Sequence, residues 1–133
     1  GKGATCNGEV LRASQLAAFK NVRFPADEQW QLSGDIQKVV KPNSIAMRMT
    51  MIACDRADMV ATLRWGNEWD IAAAHLIVQE AGATVTDAFG KPFVYNKRDS
   101  RDFGLICSAP AIHQIMVERL AERAARLANA PSS

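Results

Sequence analysis

The 133-residue chain lacks most of the features that would assign its class at once. Its three cysteines, Cys6, Cys54 and Cys107, are widely spaced and form no CxxC or Cys/His pattern, which excludes a zinc ribbon and a disulfide framework. Isolated thiols fit a reducing compartment, so a cytoplasmic protein is expected, with each cysteine acting as a buried apolar residue. There is no run of 18 apolar residues to span a membrane. The net charge of +2 is too small to argue for nucleic acid. No GxSxG, Walker A, GxGxxG or HExxH motif occurs, so hydrolase triads, P-loops, dinucleotide folds and zincins lack support. His75 and His113 fit no ligand spacing and are expected to be structural. An initiator Met and a signal-peptide apolar segment are also missing; "GKGATCNG" opens inside a turn-forming segment. The chain reads as one α/β lobe, residues 1–133, cut from a longer protein, with residues 129–133 as a frayed tail.

What is present suffices for a packed domain: 48% hydrophobic and 23% charged residues. Asn7-Gly8 predicts a type I′ hairpin turn, because both residues tolerate positive φ. Val10 and Leu11 begin a strand ending near Ser14. Residues 15–24 are ambiguous. Pro25 suits the first position of a helix over "PADEQWQLSG", closed by Gly34. "DIQKVV" reads as a strand. Ser44 or Asn43 caps a helix whose Ile45, Met49, Ile52 and Ala53 keep helical spacing. "ADMVATLRW" predicts a strand of about six residues. A helix follows from Glu68 to Ala81, ended by Gly82. "TVTD" and "LICSA" are short strands, "AFGKP" is a turn and "YNKRDSRDFG" a polar loop. The last helix turns Ile112, Ile115, Met116, Leu120 and Leu127 inward. Strands and helices alternate, which predicts an α/β fold with a sheet flanked by helices.

The helix over "NEWDIAAAHLIVQEAG" is apolar nearly all round, through Trp69, Ile71, Ala72, Ala73, Leu76, Ile77, Val78 and Ala81. That predicts burial between layers. Asp70 stands in its first turn, where two roles are open. With Asn67 as N-cap it forms a capping box. Equally, a helix N-terminus attracts anions, and a carboxylate there can hold a divalent cation that bridges to a phosphate. One carboxylate makes no magnesium site alone. Asp55, Asp58, Asp87, Asp99 and Asp102 fall in predicted loops or strand starts and read as surface or turn carboxylates.

"WDIAAAHLIVQEAGA" closely resembles the C-terminal signature of the inositol monophosphatase superfamily, in which a Trp-Asp pair opens a small-residue helix ending in Glu-Ala-Gly. "GKGATCNGEVLRAS" resembles the family's central hairpin, and "DAFGKPFVYN" its strand and turn after the signature helix; residues 15–40 match least. The resemblance implies the C-terminal lobe of a layered α/β/α/β/α sandwich, with a mixed sheet flanked by helices. It implies a magnesium-dependent, lithium-sensitive phosphomonoesterase, often dimeric, whose N-terminal lobe supplies most of the metal ligands. Asp70 alone carries over as catalytic metal ligand, so this chain by itself is not expected to catalyse.

Further residues bear on the substrate, which the resemblance implies to be a small phosphorylated molecule. The family's Gly-Ser/Thr helix start corresponds to Asn43-Ser44, where Ser44 matches and Asn43 departs. Four residues after Ala57-Asp58, inositol monophosphatases tend to have Glu and 3′-phosphoadenosine 5′-phosphate phosphatases Arg. This chain has Thr62, with Arg64 two residues on and Arg48 one turn after Ser44 as candidate cations for a second phosphate. The pattern looks most like bacterial 3′(2′),5′-bisphosphate nucleotidases. The alternatives are an inositol-1-phosphate or fructose-1,6-bisphosphate phosphatase, and a non-catalytic family member acting as a binding or regulatory protein. A plain α/β domain in which Asp70 merely caps a helix remains as the blandest possibility.

Overall fold

The computed structural model describes residues 3–26, 34–67, 69, 71–95, 98–99 and 101–129. The helix expected over residues 27–33 and the tail at 130–133 lie outside them.

The chain opens on a small antiparallel hairpin, β1 (Thr5–Cys6) and β2 (Glu9–Val10). Asn7 at φ 51° and Gly8 at φ 83° make its turn, as that pair of residues requires. β2 is shorter than expected. After Leu11 N–H bonds to Ala4 O, the chain leaves the ladder, and Ala13 N–H turns to Ala81 O instead. β3 (Val22–Pro25) and β4 (Ile36–Val39) pair in parallel. Pro25 therefore closes a strand, where its missing N–H costs no ladder bond, and does not start a helix there.

The main sheet is antiparallel in the order β5 (Met59–Asn67), β7 (Arg101–Ser108), β6 (Thr84–Thr86). β7 is central, and it begins at Arg101, inside the segment expected to be loop. Its residues alternate between two cores. Leu105 and Cys107 face α1 (Ile45–Ala53) and α2 (Ala72–Glu80), packing with Met49, Ile52, Ala74 and Val78. Ile106 faces α3 (His113–Ala128), packing with Ile112, Met116 and Leu120. Of the expected inner stripe of α3, Leu127 is 38% exposed, while Ala124 and Ala128 take the inner face there beside Phe103. The architecture is the predicted α/β arrangement of helices on both faces of a sheet, with parallel pairing, among the described residues, confined to β3–β4.

α2 departs from expectation in two ways. It starts at Ala72, with Ile71 as a cap that offers no side-chain bond, and Asn67 is the last residue of β5. Asn67 is therefore not the N-cap of α2. Only one face of α2 is buried, through Ala74 and Val78; Leu76 is 62% and Trp69 66% exposed. Gly82, at φ 98°, ends the helix as expected.

Candidate active site

α1 is started by one of the two residues expected to start it. Ser44 is the N-cap, its extended backbone at φ −75° and ψ 126°, and its Oγ accepts from Met47 N–H at 3.3 Å. Asn43 and Ser44 are both exposed. Arg48, expected as a candidate cation for a second phosphate, is instead buried on α1 because its stem joins the helix's inner face; its Nη2 donates to Asn43 O at 3.4 Å.

β5 and β7 pair regularly from Met59↔Ser108 to Thr62↔Leu105, then shift, resuming at Trp65↔Phe103. Leu63 and Arg64 thus stand opposite the single residue Gly104, which is a β-bulge. Gly104 has φ 74°, and a Cβ there would lie 2.6 Å from both Thr62 O and Ala88 Cβ, so only glycine fits. The bulge reverses the alternation of β7. Phe103 joins Ala88 and Ala124, although Leu105, two residues on, faces α1 and α2.

On the α1–α2 side this irregularity opens a cleft of about 80 Å³, small beside the several hundred Å³ of ordinary ligand pockets. Its polar lining is Thr62, Arg64, Asn67 and Asp102; its apolar lining includes Ile45, Ile71, Phe93 and Leu105. The structure therefore brings Thr62 and Arg64 together with the first residue of α1, next to Ser44, and with Ile71, next to Asp70. Asn43, Ser44 and Arg48 are not in the lining, and Asp70 lies outside the described residues. Sequence reasoning missed Asn67, Phe93 and Asp102. Asp102 stood in a segment taken for loop, where the glycine-broken alternation of "RDFGLIC" hid the strand.

Two further carboxylates and both histidines have defined surroundings. Asp58, taken for a surface group, is 3% exposed at the head of β5. It accepts from the Ser14 hydroxyl at 2.5 Å, from Arg23 N–H at 2.7 Å, from Arg23 Nε at 3.0 Å and from Nη2 at 2.9 Å. Burial pushes its pKa up, but the Arg23 and Ser14 bonds together outweigh that and hold it below the usual carboxylate range. Asp87 makes the expected turn, its Oδ1 accepting from the N–H groups of Phe89 and Lys91. His113 is structural, as expected: buried, with Nε2 2.8 Å from Thr86 Oγ1 and Nδ1 2.8 Å from Ser108 Oγ. Burial lowers its pKa to about 4. His75, half-buried on α2, is also lowered by burial.

Among the described residues no group of three His, Cys, Asp or Glu side chains is placed to hold a metal ion. Magnesium takes about six oxygen ligands, of which protein carboxylates supply one or two and waters and substrate oxygens the rest. No helix among them is long and apolar enough to cross a membrane.

Residues 1–128 match the Inositol monophosphatase family. A fructose-1,6-bisphosphatase/inositol-1-monophosphatase of Thermotoga maritima is 32% identical over 111 residues, 72% of this chain and 43% of the relative. Human inositol monophosphatase 1 is 31% identical over 110 residues, 70% of this chain and 39% of the relative. Among solved structures, a Thermotoga maritima IMPase superposes with a TM-score of 0.77 at 27% identity, covering 94% of this chain and 50% of that one. An inositol monophosphatase from Anabaena (Nostoc), at 22% identity and a TM-score of 0.72 over 92% of this chain and 52% of that one, shares the fold. The chain spans about half the length of these relatives, or less.

Proposed function

The chain belongs to the inositol monophosphatase family, and from that premise we propose that the complete protein is a magnesium-dependent phosphomonoesterase to which this chain brings part of the metal and substrate site. The observation that carries this is the cleft at the β5–β7 bulge, where Thr62 and Arg64 meet the start of α1 and the residue following Asp70.

In this proposal Asp70 is one metal ligand, and the others come from beyond residues 1–133. Bound magnesium supplies an activated water and stabilisation of the leaving oxygen. The chain's own residues bind and orient. The N–H groups at the start of α1, with the Ser44 hydroxyl, receive phosphate oxygens by hydrogen bonds along the helix dipole. Asn43 holds the approach to that turn, and Arg48 braces it from inside through Asn43 O. Arg64, exposed at the cleft, takes a second phosphate, with the Thr62 hydroxyl beside it.

The finer assignment is 3′(2′),5′-bisphosphate nucleotidase, releasing the 3′-phosphate of 3′-phosphoadenosine 5′-phosphate. It is supported by Thr62 standing where an inositol-selective enzyme tends to have Glu, and by Arg64 as a cation. The names of the Thermotoga and human relatives favour the alternative, fructose 1,6-bisphosphate or inositol 1-phosphate as substrate. The exposed Trp69 and Leu76 favour a chain that forms one lobe of a layered sandwich, its α1–α2 layer covered by the N-terminal lobe. The experiment is a substrate panel with magnesium on the complete protein. Preferred release of phosphate from 3′-phosphoadenosine 5′-phosphate is expected. Equal or faster release from inositol 1-phosphate or fructose 1,6-bisphosphate overturns the finer assignment. Binding without hydrolysis of any of the three overturns the enzymatic one in favour of a binding protein.

A further inference from the structure

Phe93 lines the cleft with Ile45, Ile71 and Leu105, yet it belongs to a segment with little backbone support. The Asp87 turn anchors the chain as far as Lys91. Residues 92–94 then make no backbone-to-backbone hydrogen bond among the described residues. Such a segment is expected to wander unless side chains hold it.

The holding group is on α2. His75 sits one turn after Ile71, its N–H bonded to Ile71 O at 2.8 Å. Its Nδ1 is 2.5 Å from the Tyr95 hydroxyl, and its ring packs at 5.7 Å from the Tyr95 ring. The same imidazole meets the Phe93 ring edge-on at 6.0 Å. Because burial favours the neutral imidazole, Nδ1 is free to accept the Tyr95 O–H. One side chain therefore touches both aromatic residues of the segment while its helix supplies Ile71 to the cleft.

We propose that His75 is a positioning residue: by holding Tyr95 it fixes Phe93 as an apolar wall of the cleft, against which the non-phosphate part of the substrate packs. The substrate half of this statement rests on the proposed phosphatase function; the latch itself does not.

The test uses the complete protein with Tyr95→Phe, His75→Ala, the double variant, Phe93→Ala, and His75→Asn, whose side-chain oxygen can take the place of Nδ1. Loss of one neutral hydrogen bond should raise the rate of chymotryptic cleavage after Phe93 about fivefold in Tyr95→Phe and in His75→Ala. The double variant should do no more than either single one, and His75→Asn should restore most of the protection. On the best substrate of the panel, KM should rise several-fold with kcat within about twofold, and Phe93→Ala should show the same split. Unchanged cleavage after Phe93, additive single effects, or cleavage raised equally after Phe103 on β7 would each overturn the latch. If the complete protein hydrolyses no phosphomonoester, the proposed function fails, while the cleavage data still decide for or against the latch.

Discussion

Arg23 grips Asp58 across 35 residues of sequence, Nε to Oδ2 at 3.0 Å and Nη2 to Oδ1 at 2.9 Å, while the same Nη2 reaches Asp55 Oδ1. The fork fixes the start of β5 to β3, and Asp58 adds two backbone bonds, N–H to Arg23 O and O from Ala109 N–H, both at 2.9 Å. Replacing Asp58 with Asn leaves a guanidinium without its fork partner. Because the Arg23 side chain is about a third exposed, the expected loss is about 2–3 kcal/mol, below that of a fully buried pair. Urea denaturation of the complete protein measures it. Asp58 titrates lower in the fold than in the unfolded chain, so its contribution is present above the unfolded carboxylate pKa and is lost as pH falls through the folded value.

His113 gives an acid dependence at a different pH. Its folded pKa of about 4 lies below the ordinary 6.5, so between those values the unfolded chain binds the extra proton. Stability should therefore be full above pH 6.5 and fall as pH drops towards 4, by about 3 kcal/mol in all. His113→Gln should remove that slope while lowering stability at pH 7. A wild-type stability flat between pH 7 and 4.5 would contradict it.

Gly104 allows no side chain. Gly104→Ala places a Cβ 2.6 Å from Thr62 O at φ 74°, combining left-handed strain with overpacking, for an expected loss of about 2–4 kcal/mol. Since the displaced carbonyl is that of Thr62, substrate KM should rise in the folded fraction as well. Thermal melts and steady-state kinetics on the same sample separate the two effects.

Within the proposed site, Asp70→Asn should lower turnover by about 10²-fold and raise the magnesium requirement, whereas a mere helix cap would leave both unchanged. Thr62→Glu should move preference towards inositol 1-phosphate by roughly tenfold in relative kcat/KM, and Arg64→Ala should weaken bisphosphate substrates more than monophosphates. Equal effects of Arg64→Ala on both classes would remove Arg64 from the second-phosphate role.

The isolated 133-residue chain should associate in solution, because Trp69, Leu76 and Met47 present large apolar side chains 59–66% exposed. Leu76→Lys should keep the isolated chain monomeric by light scattering. A clean cooperative melt of the unaltered monomer would count against a missing covering layer.

What the sequence revealed was mostly local. The Pro-Asn-Ser start of α1, the Asn7-Gly8 turn and the Gly82 stop depend on backbone chemistry within a few residues, and all three stand where their residue types predict. What stayed hidden was long-range. Nothing near Asp58 announces Arg23, and nothing in "RDFGLIC" shows that Gly104 faces a bulge on another strand. The α2 pattern was misjudged for a related reason. A helix apolar all round predicts two covering layers, and the described residues provide one. It starts four residues later than expected, at Ala72, and β5 runs on to Asn67, an extension that strand propensity in "ADMVATLRW" does not encode.

Cys107 lies on the middle strand of the sheet, paired with Val60 on one side and Val85 on the other, and burial pushes its thiol far up from the ordinary range. Cys6 and Cys54, expected to be buried like Cys107, are instead exposed in this chain. A thiol reagent should thus label two sulfurs in a burst and the third only when the sheet itself separates. The chain carries a built-in timer: the lag before the third label counts how often its innermost strand comes undone.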